Sequence, residues 1–311
     1  MNDPFVFPLI DRHTHLEGGL DPAWVRREAV RRNLVLPANL EALWSGQAIS
    51  FEGFIEAFLF SAALLDSRES VREAVVAVAR RTQQAGGSGF DLWASPHFLV
   101  VHRGQISLDD FWLGLQEGFA DAEALGLRAC LVVDAVNHFG PKHGQAVLDL
   151  VLPGLPAFVK GFSTGGLEGC PFRDWAPVFD RARAAGLRIA AHAGENGPGA
   201  NVREAVLEGG VARIVHGLRA NTATFELLAE RRISVDVCPT SNRGLAADVD
   251  PHPLPRMLQA GVRCALGTDD PGLIPCDLDT EAAAARHMGL DETALATLRR
   301  HGAEDAWCLG A

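Results

Sequence analysis

Eight short apolar runs alternate with longer amphipathic segments from one end of the chain to the other, and this rhythm constrains the fold more than any other feature. The runs lie at 7–15, 89–95, 127–135, 157–163, 187–193, 212–217, 233–239 and 262–268. Each is short and strand-like, bounded by the longer helical segments. Between them, segments such as PAWVRREAVRRN, SVREAVVAVARRTQQAG and LDDFWLGLQEGFADAEALG repeat apolar residues at three- and four-residue spacing, the pattern of a helix with one buried face. Several end in AAG, ALG or QAG directly before the next run, a glycine helix stop. Eight strands with helical crossovers in 311 residues predict an α/β fold, the (β/α)8 TIM barrel, with a doubly wound sheet as the structural alternative. The mostly helical stretch 31–70 is a helical insertion after the first strand, long enough to cover one mouth of the barrel. No linker or repeat divides the chain, so residues 1–311 are expected to form a single domain.

Composition excludes several partners. The chain carries 39 acidic and 28 basic residues, a net charge of −11. With no basic cluster, neither nucleic acid nor an anionic membrane surface is an expected partner. The start, MNDPFVFPLIDR, lacks the features of a secretion signal, and no uncharged run reaches the length of a membrane span. The cysteines at 130, 170, 238, 264, 276 and 308 form no CxxC pair, which suits reduced thiols and a cytoplasmic location. Cys238 and Cys264 read as inert strand positions. Oligomeric state leaves no trace.

Chemistry collects where the strands end. RCALGTDDPG (263–272) closes an apolar run on adjacent carboxylates, Asp269 and Asp270, which repel one another and are poor strand formers. A buried element that accepts such a pair holds a cation or a substrate there. The first run closes with His13 and His15, which strand period two puts on one face. The fifth ends in AAHAGE, with His192 at the tip and Glu195 just beyond, and the sixth ends at His216. In a barrel these ends share one mouth. His13, His15, His192 and one aspartate supply three neutral nitrogens and a carboxylate, a set suited to one Zn2+ with a position left for water. Glu195 and His216 then serve as proton carriers, and the second aspartate is free to hold substrate.

HTHLEGGL (13–20), HAGENGPGANVREAV (192–206), VHG (215–217), CPTSN (238–242) and TDDP (268–271) occur in this order and resemble the adenosine deaminase family of metal-dependent hydrolases, over about residues 9 to 281. The resemblance implies a (β/α)8 barrel with zinc on His13, His15, His192 and Asp269. It implies that Glu195 protonates N1 of a 6-aminopurine, that His216 orients and helps deprotonate the attacking water, and that Asp270 meets N7. By the same resemblance, the Gly166 N–H meets N3, Glu17 reaches a sugar hydroxyl, and Phe58 lies over the base. The implied activity is hydrolytic deamination of a 6-aminopurine nucleoside, either adenosine or 6-amino-6-deoxyfutalosine of menaquinone synthesis. Free adenine is the alternative substrate.

The sequence departs from the family pattern in three places. DLWASP carries Asp91 and Trp93 where Glu-x-Arg is usual, Asn137-His138 replaces Arg-His, and Ser163 replaces an aspartate. These changes imply rewired supports around the barrel mouth. Two rival chemistries are also spelled out. GFSTG (161–165) matches the G-x-S-x-G elbow of a serine hydrolase, with Ser163 followed by Asp269 and His287, although no helix can start cleanly after it. Lys160, near the end of the fourth run, could as a carboxylated lysine bridge two metals. The remaining histidines, at 97, 102, 138, 143, 252, 287 and 301, are expected to be structural or solvated, with His97 and His138 close enough to strand ends to touch substrate.

Overall fold

The computed structural model describes residues 7–310 apart from Ala48 and Ala247. The eight apolar runs form parallel strands β1 (Ile10–His15), β2 (Gly89–Ala94), β3 (Arg128–Val136), β4 (Val159–Gly165), β5 (Arg188–Ala193), β6 (Arg213–His216), β7 (Ser234–Val237) and β8 (Arg263–Leu266). They pair in sequence order, and a bridge between Thr14 and Asp269 closes β8 onto β1. Burial on both faces explains the composition. The outer face packs under the helices, and the inner face fills the barrel. The expected (β/α)8 barrel is therefore the observed one. Cys238 falls one residue beyond β7, because the strand stops where Pro239 opens the helix Pro239–Leu245.

The insertion after β1 consists of the helices Pro22–Arg31, Ala38–Trp44 and Phe51–Ala63. Asp21 and Ser50 cap the first and third, each accepting backbone N–H groups of the first turn. Trp44 donates its indole N–H to the Gly272 carbonyl at 2.8 Å, which ties the insertion to the loop after β8. Helix Phe51–Ala63 thereby stands at the carboxyl mouth.

One irregularity in β1 organises the barrel interior. Asp11 pairs with Phe90 and Thr14 with Leu92, so three steps along β1 match two along β2. This β-bulge lets neighbours Arg12 and His13 both serve the interior. His13 packs its ring against Trp93, with centroids 4.5 Å apart, at the level of the strand ends. Arg12 works one layer lower. There it meets Asp236 at 3.0 Å and Asp91 at 3.8 Å, while Arg213 meets Asp91 at 2.8 Å and Asp236 at 3.4 Å. All four side chains are sealed from solvent. Asp91 also accepts the backbone N–H groups of Trp307 and Cys308, and the Trp307 ring lies 3.9 Å beneath the Arg213 guanidinium. The two departures on β2 thus have separate explanations. Trp93 forms the floor under the strand-end histidines, and Asp91 neutralises arginines that come from β1 and β6.

Candidate active site

β1, β5 and β8 deliver four side chains to one point. His192 Nε2 lies 3.3 Å from both His13 Nε2 and His15 Nε2, and Asp269 Oδ1 lies 3.3 Å and 3.5 Å from the same two nitrogens. The Thr164 carbonyl can only accept, so its 3.0 Å contact with His192 Nδ1 fixes the proton there and leaves a lone pair on Nε2. Burial pushes the imidazoles toward the neutral form, His13 and His15 down to about 3 and His192 well below its ordinary value. Burial opposes ionisation of Asp269, yet the hydrogen bond from His13 and the surrounding histidines hold its carboxyl well below the usual range. Its second oxygen accepts the Ser241 hydroxyl at 2.6 Å. Neutral nitrogens facing one another across 3.3 Å with a carboxylate are mutually unfavourable unless a cation sits between them, so the donor set fits a divalent metal.

Glu195 and His216, expected as proton carriers, stand beside this cluster. His216 Nε2 is 3.6 Å from Glu195 Oε1. Burial raises Glu195 to about 7 against the pull of His216, so its carboxyl holds a proton near neutrality. Asp270 is pushed well above its ordinary value by burial first and by Asp269 second. Its Oδ1 has no partner, and a Cβ on Gly18 would lie 1.8 Å from that atom, which accounts for glycine in HLEGG. Four non-glycine residues among those described have positive φ, and two of them are His216 at 67° and Asp269 at 64°. Strain of this kind persists where surrounding bonds over-determine a residue. For Asp269 those bonds are visible. Its backbone N–H donates to the His13 carbonyl at 2.8 Å, and its carbonyl accepts the His15 N–H at 2.7 Å.

A cavity of about 330 Å³ opens over this floor, walled by Phe54, Phe58 and Leu59 of the insertion and by Phe98 and Phe139 opposite. His138 and Gly166 line it as well, Gly166 with φ +81°, a conformation glycine adopts freely. Glu17 does not line it. Its carboxyl accepts the Ser95 N–H at 2.8 Å behind the wall, and burial lifts it to about 7.

Three residues important to the geometry escaped sequence reasoning. Glu168 accepts the N–H groups of Gly194, Glu195, Asn196 and Gly197 and so shapes the loop that presents Glu195. Asp134, opposite Ser163 in the β3–β4 register, lines the cavity with a buried carboxyl whose Oδ1 is unpartnered. The carboxylate missing at Ser163 is thus matched by one on the neighbouring strand. His252 is the third, reached through Asn242.

The rival chemistries find no geometry. Ser163 is buried in mid-strand, its hydroxyl 3.4 Å from the Thr164 carbonyl, while His287 is exposed and bonded to the Ala283 carbonyl. Lys160 is the second residue of β4, at the foot of the strand and away from the mouth.

The buried carboxyls set a pH dependence. Burial raises Asp11, Glu17 and Glu195 to about 7 and Glu281 to about 8. Each binds a proton in the native state at a pH where the unfolded chain has lost it, so stability falls as pH rises through this range. The lowered histidines act oppositely, but only below their unfolded value of about 6.5. Metal-stripped protein should therefore melt at a lower temperature at about pH 8.5 than at about pH 6.5. A flat or rising Tm over that interval would contradict the assignment.

Comparison with known proteins places the chain in a family. Residues 8–310 match the sequence profile of the family described as adenosine deaminase. An adenine deaminase of Chelativorans sp. (strain BNC1) is 32% identical over 95% of this chain and 92% of its own length. An aminodeoxyfutalosine deaminase of Acidothermus cellulolyticus is 32% identical over 91% and 83%. The crystal structure of an adenine deaminase from Arthrobacter aurescens superimposes with a TM-score of 0.85 at 27% identity, over 95% of this chain and 92% of that one. No helix among the described residues is long and apolar enough to cross a membrane. With one profile spanning almost the whole barrel and the ends of β1, β5, β6 and β8 converging on one point, the chain is a hydrolytic enzyme that belongs to the adenosine deaminase family.

Proposed function

We propose that the protein hydrolytically deaminates a 6-aminopurine nucleoside, adenosine or a derivative such as 6-amino-6-deoxyfutalosine, to the 6-oxo product and ammonia, with zinc as the metal. The observation that carries this reading is the pairing of Glu195 with His216, 3.6 Å apart, beside a cluster of four possible metal donors. A zinc ion on His13, His15, His192 and Asp269 would lower the pKa of water to about 7 and so supply a nucleophile at neutral pH. Glu195 delivers its proton to N1, which draws electrons from C6 as the water oxygen adds there. His216 donates a hydrogen bond that orients that oxygen, the water's protons pass to the amino group and back to Glu195, and the amino group leaves as ammonia. Asp270, whose carboxyl burial pushes well above its ordinary value and whose Oδ1 is unpartnered, donates to N7 and holds the ring in register. Phe58 covers the face of the base, and the Gly166 N–H approaches N3.

The cavity supports a nucleoside over a free base. It extends from the catalytic floor past Phe98 and Phe139 to His102 and Arg103, space that a purine alone leaves unfilled. A second reading, adenine, is favoured by the names of the Chelativorans and Arthrobacter relatives. Ammonia release from adenosine, 6-amino-6-deoxyfutalosine and adenine, with and without a strong chelator, separates them. One nucleoside should be turned over with kcat/KM at least about tenfold above adenine, and the chelator should abolish it. Adenine as the best substrate would overturn the nucleoside reading. Silence from all three in metal-loaded protein would overturn the aminopurine reading itself.

A further inference from the structure

A chain of hydrogen bonds runs from the start of the helix Leu254–Gln259 to His216. Leu254 N–H lies 3.2 Å from His252 Nδ1, His252 Nε2 lies 3.2 Å from Asn242 Oδ1, and Asn242 Nδ2 lies 3.1 Å from His216 Nδ1. An amide side chain and two imidazoles can each be written in two orientations, so the three groups alone would leave the direction of the chain open. The backbone N–H of Leu254 removes that freedom. It opens the helix Leu254–Gln259, where the first N–H groups have no partner within the helix, and it can only donate.

The consequence passes from group to group. His252 Nδ1 must accept. Burial holds His252 down to about 4, so the ring is neutral and its single proton sits on Nε2, pointing at Asn242. Asn242 then receives on its oxygen and turns its NH2 group to His216 Nδ1. That nitrogen must in turn accept, so the ring proton of His216 lies on Nε2, toward Glu195 and the metal cluster. Reversing the amide would set His252 Nδ1–H against the Leu254 N–H, two donors face to face. Asn242 is buried within CPTSN, whose backbone is pinned by Thr240 N–H donating to Glu281 at 3.0 Å.

We infer that His252 and Asn242 are positioning residues that hold His216 as its Nε2–H tautomer, with the Leu254 N–H setting the direction of the chain. Neither touches the reacting atoms. Their effect is that His216 meets the attacking water as a hydrogen-bond donor that orients it.

The test has one arm that needs no substrate. In protein labelled with 15N-histidine, both zinc-loaded and metal-stripped, the His216 resonances, assigned by their loss in His216→Gln, should report the neutral Nε2–H tautomer. Asn242→Asp, whose carboxylate only accepts, should move the proton to Nδ1. On the deaminase reading above, His252→Phe, which keeps the ring shape and loses the donor, should lower kcat by about tenfold with KM little changed, and His252→Gln, which retains a donor, should recover to within about twofold of wild type. An Nδ1–H tautomer in the wild-type protein would overturn the inference, as would His252→Phe with unchanged kcat. If His252→Phe fails to fold, the wild-type and Asn242→Asp spectra decide alone. Because the spectra require no turnover, failure of the deaminase reading would leave the tautomer result standing and would be told apart from failure of the inference.

Discussion

Replacement of Glu195 by glutamine is expected to lower kcat by about two to four orders of magnitude while metal content stays at the wild-type level. The amide keeps the size of the carboxyl and can still reach His216, but it has no acidic proton for a ring nitrogen. Without that transfer, charge has nowhere to go as the nucleophile adds to C6. The loop should hold its shape in the variant, because Glu168 binds backbone N–H groups from Gly194 to Gly197 and does not depend on the Glu195 side chain. Steady-state kinetics and metal analysis on the same preparation check both halves of the expectation. Near-wild-type kcat would remove Glu195 from the chemistry, and loss of metal would mean that it supports the cluster instead.

The second large effect concerns stability. Asp91→Ala should destabilise the fold by about 3–5 kcal/mol, a fall in Tm on the order of 10 °C. Asp91 receives Arg213 at 2.8 Å and two backbone N–H groups, those of Trp307 and Cys308. Removing it strands a buried guanidinium and frees the segment that seals the barrel from below. The double variant Asp91→Ala, Arg213→Met should recover part of the loss, since an apolar pair in place of a buried ion pair is often neutral. Thermal unfolding of the single and double variants measures this. A single variant as stable as wild type would mean that Asp236 alone neutralises both arginines.

The convergence of the strand-end side chains was legible in the sequence for a physical reason. Residues at the carboxyl ends of barrel strands converge whatever the loops do, so His13, His15, His192, His216 and the Asp269–Asp270 pair could be brought together from strand count alone. What was not legible depends on register and on contacts between loops. The bulge between Asp11 and Thr14 has no signature in IDRHTH, and without it Arg12 belongs to the outer face. Asp134 faces the cavity only because β3 and β4 align it with Ser163. Glu168 and His252 act through loops whose paths no periodicity describes. Glu17 shows the converse. Its position in HLEGG is regular, yet the bond to the Ser95 N–H draws its carboxyl behind the cavity wall.

The charged layer beneath Trp93 has a consequence for how the chain reaches this state. Arg12 belongs to the first strand, yet one of its bonds goes to the His301 carbonyl, 289 positions later, and another to Ser234, 222 positions later. A partial barrel of the early strands would hold Arg12 and Asp91 with most of their partners missing, and desolvating them in that state is costly. The early strands therefore gain little by burying their inner faces ahead of the rest. Closure becomes a late event that waits for β6, β7 and the last helix to arrive together. Folding should be slow for the size of the domain and strongly cooperative, with half-barrels remaining open and hydrated until the sequence-distant ends meet.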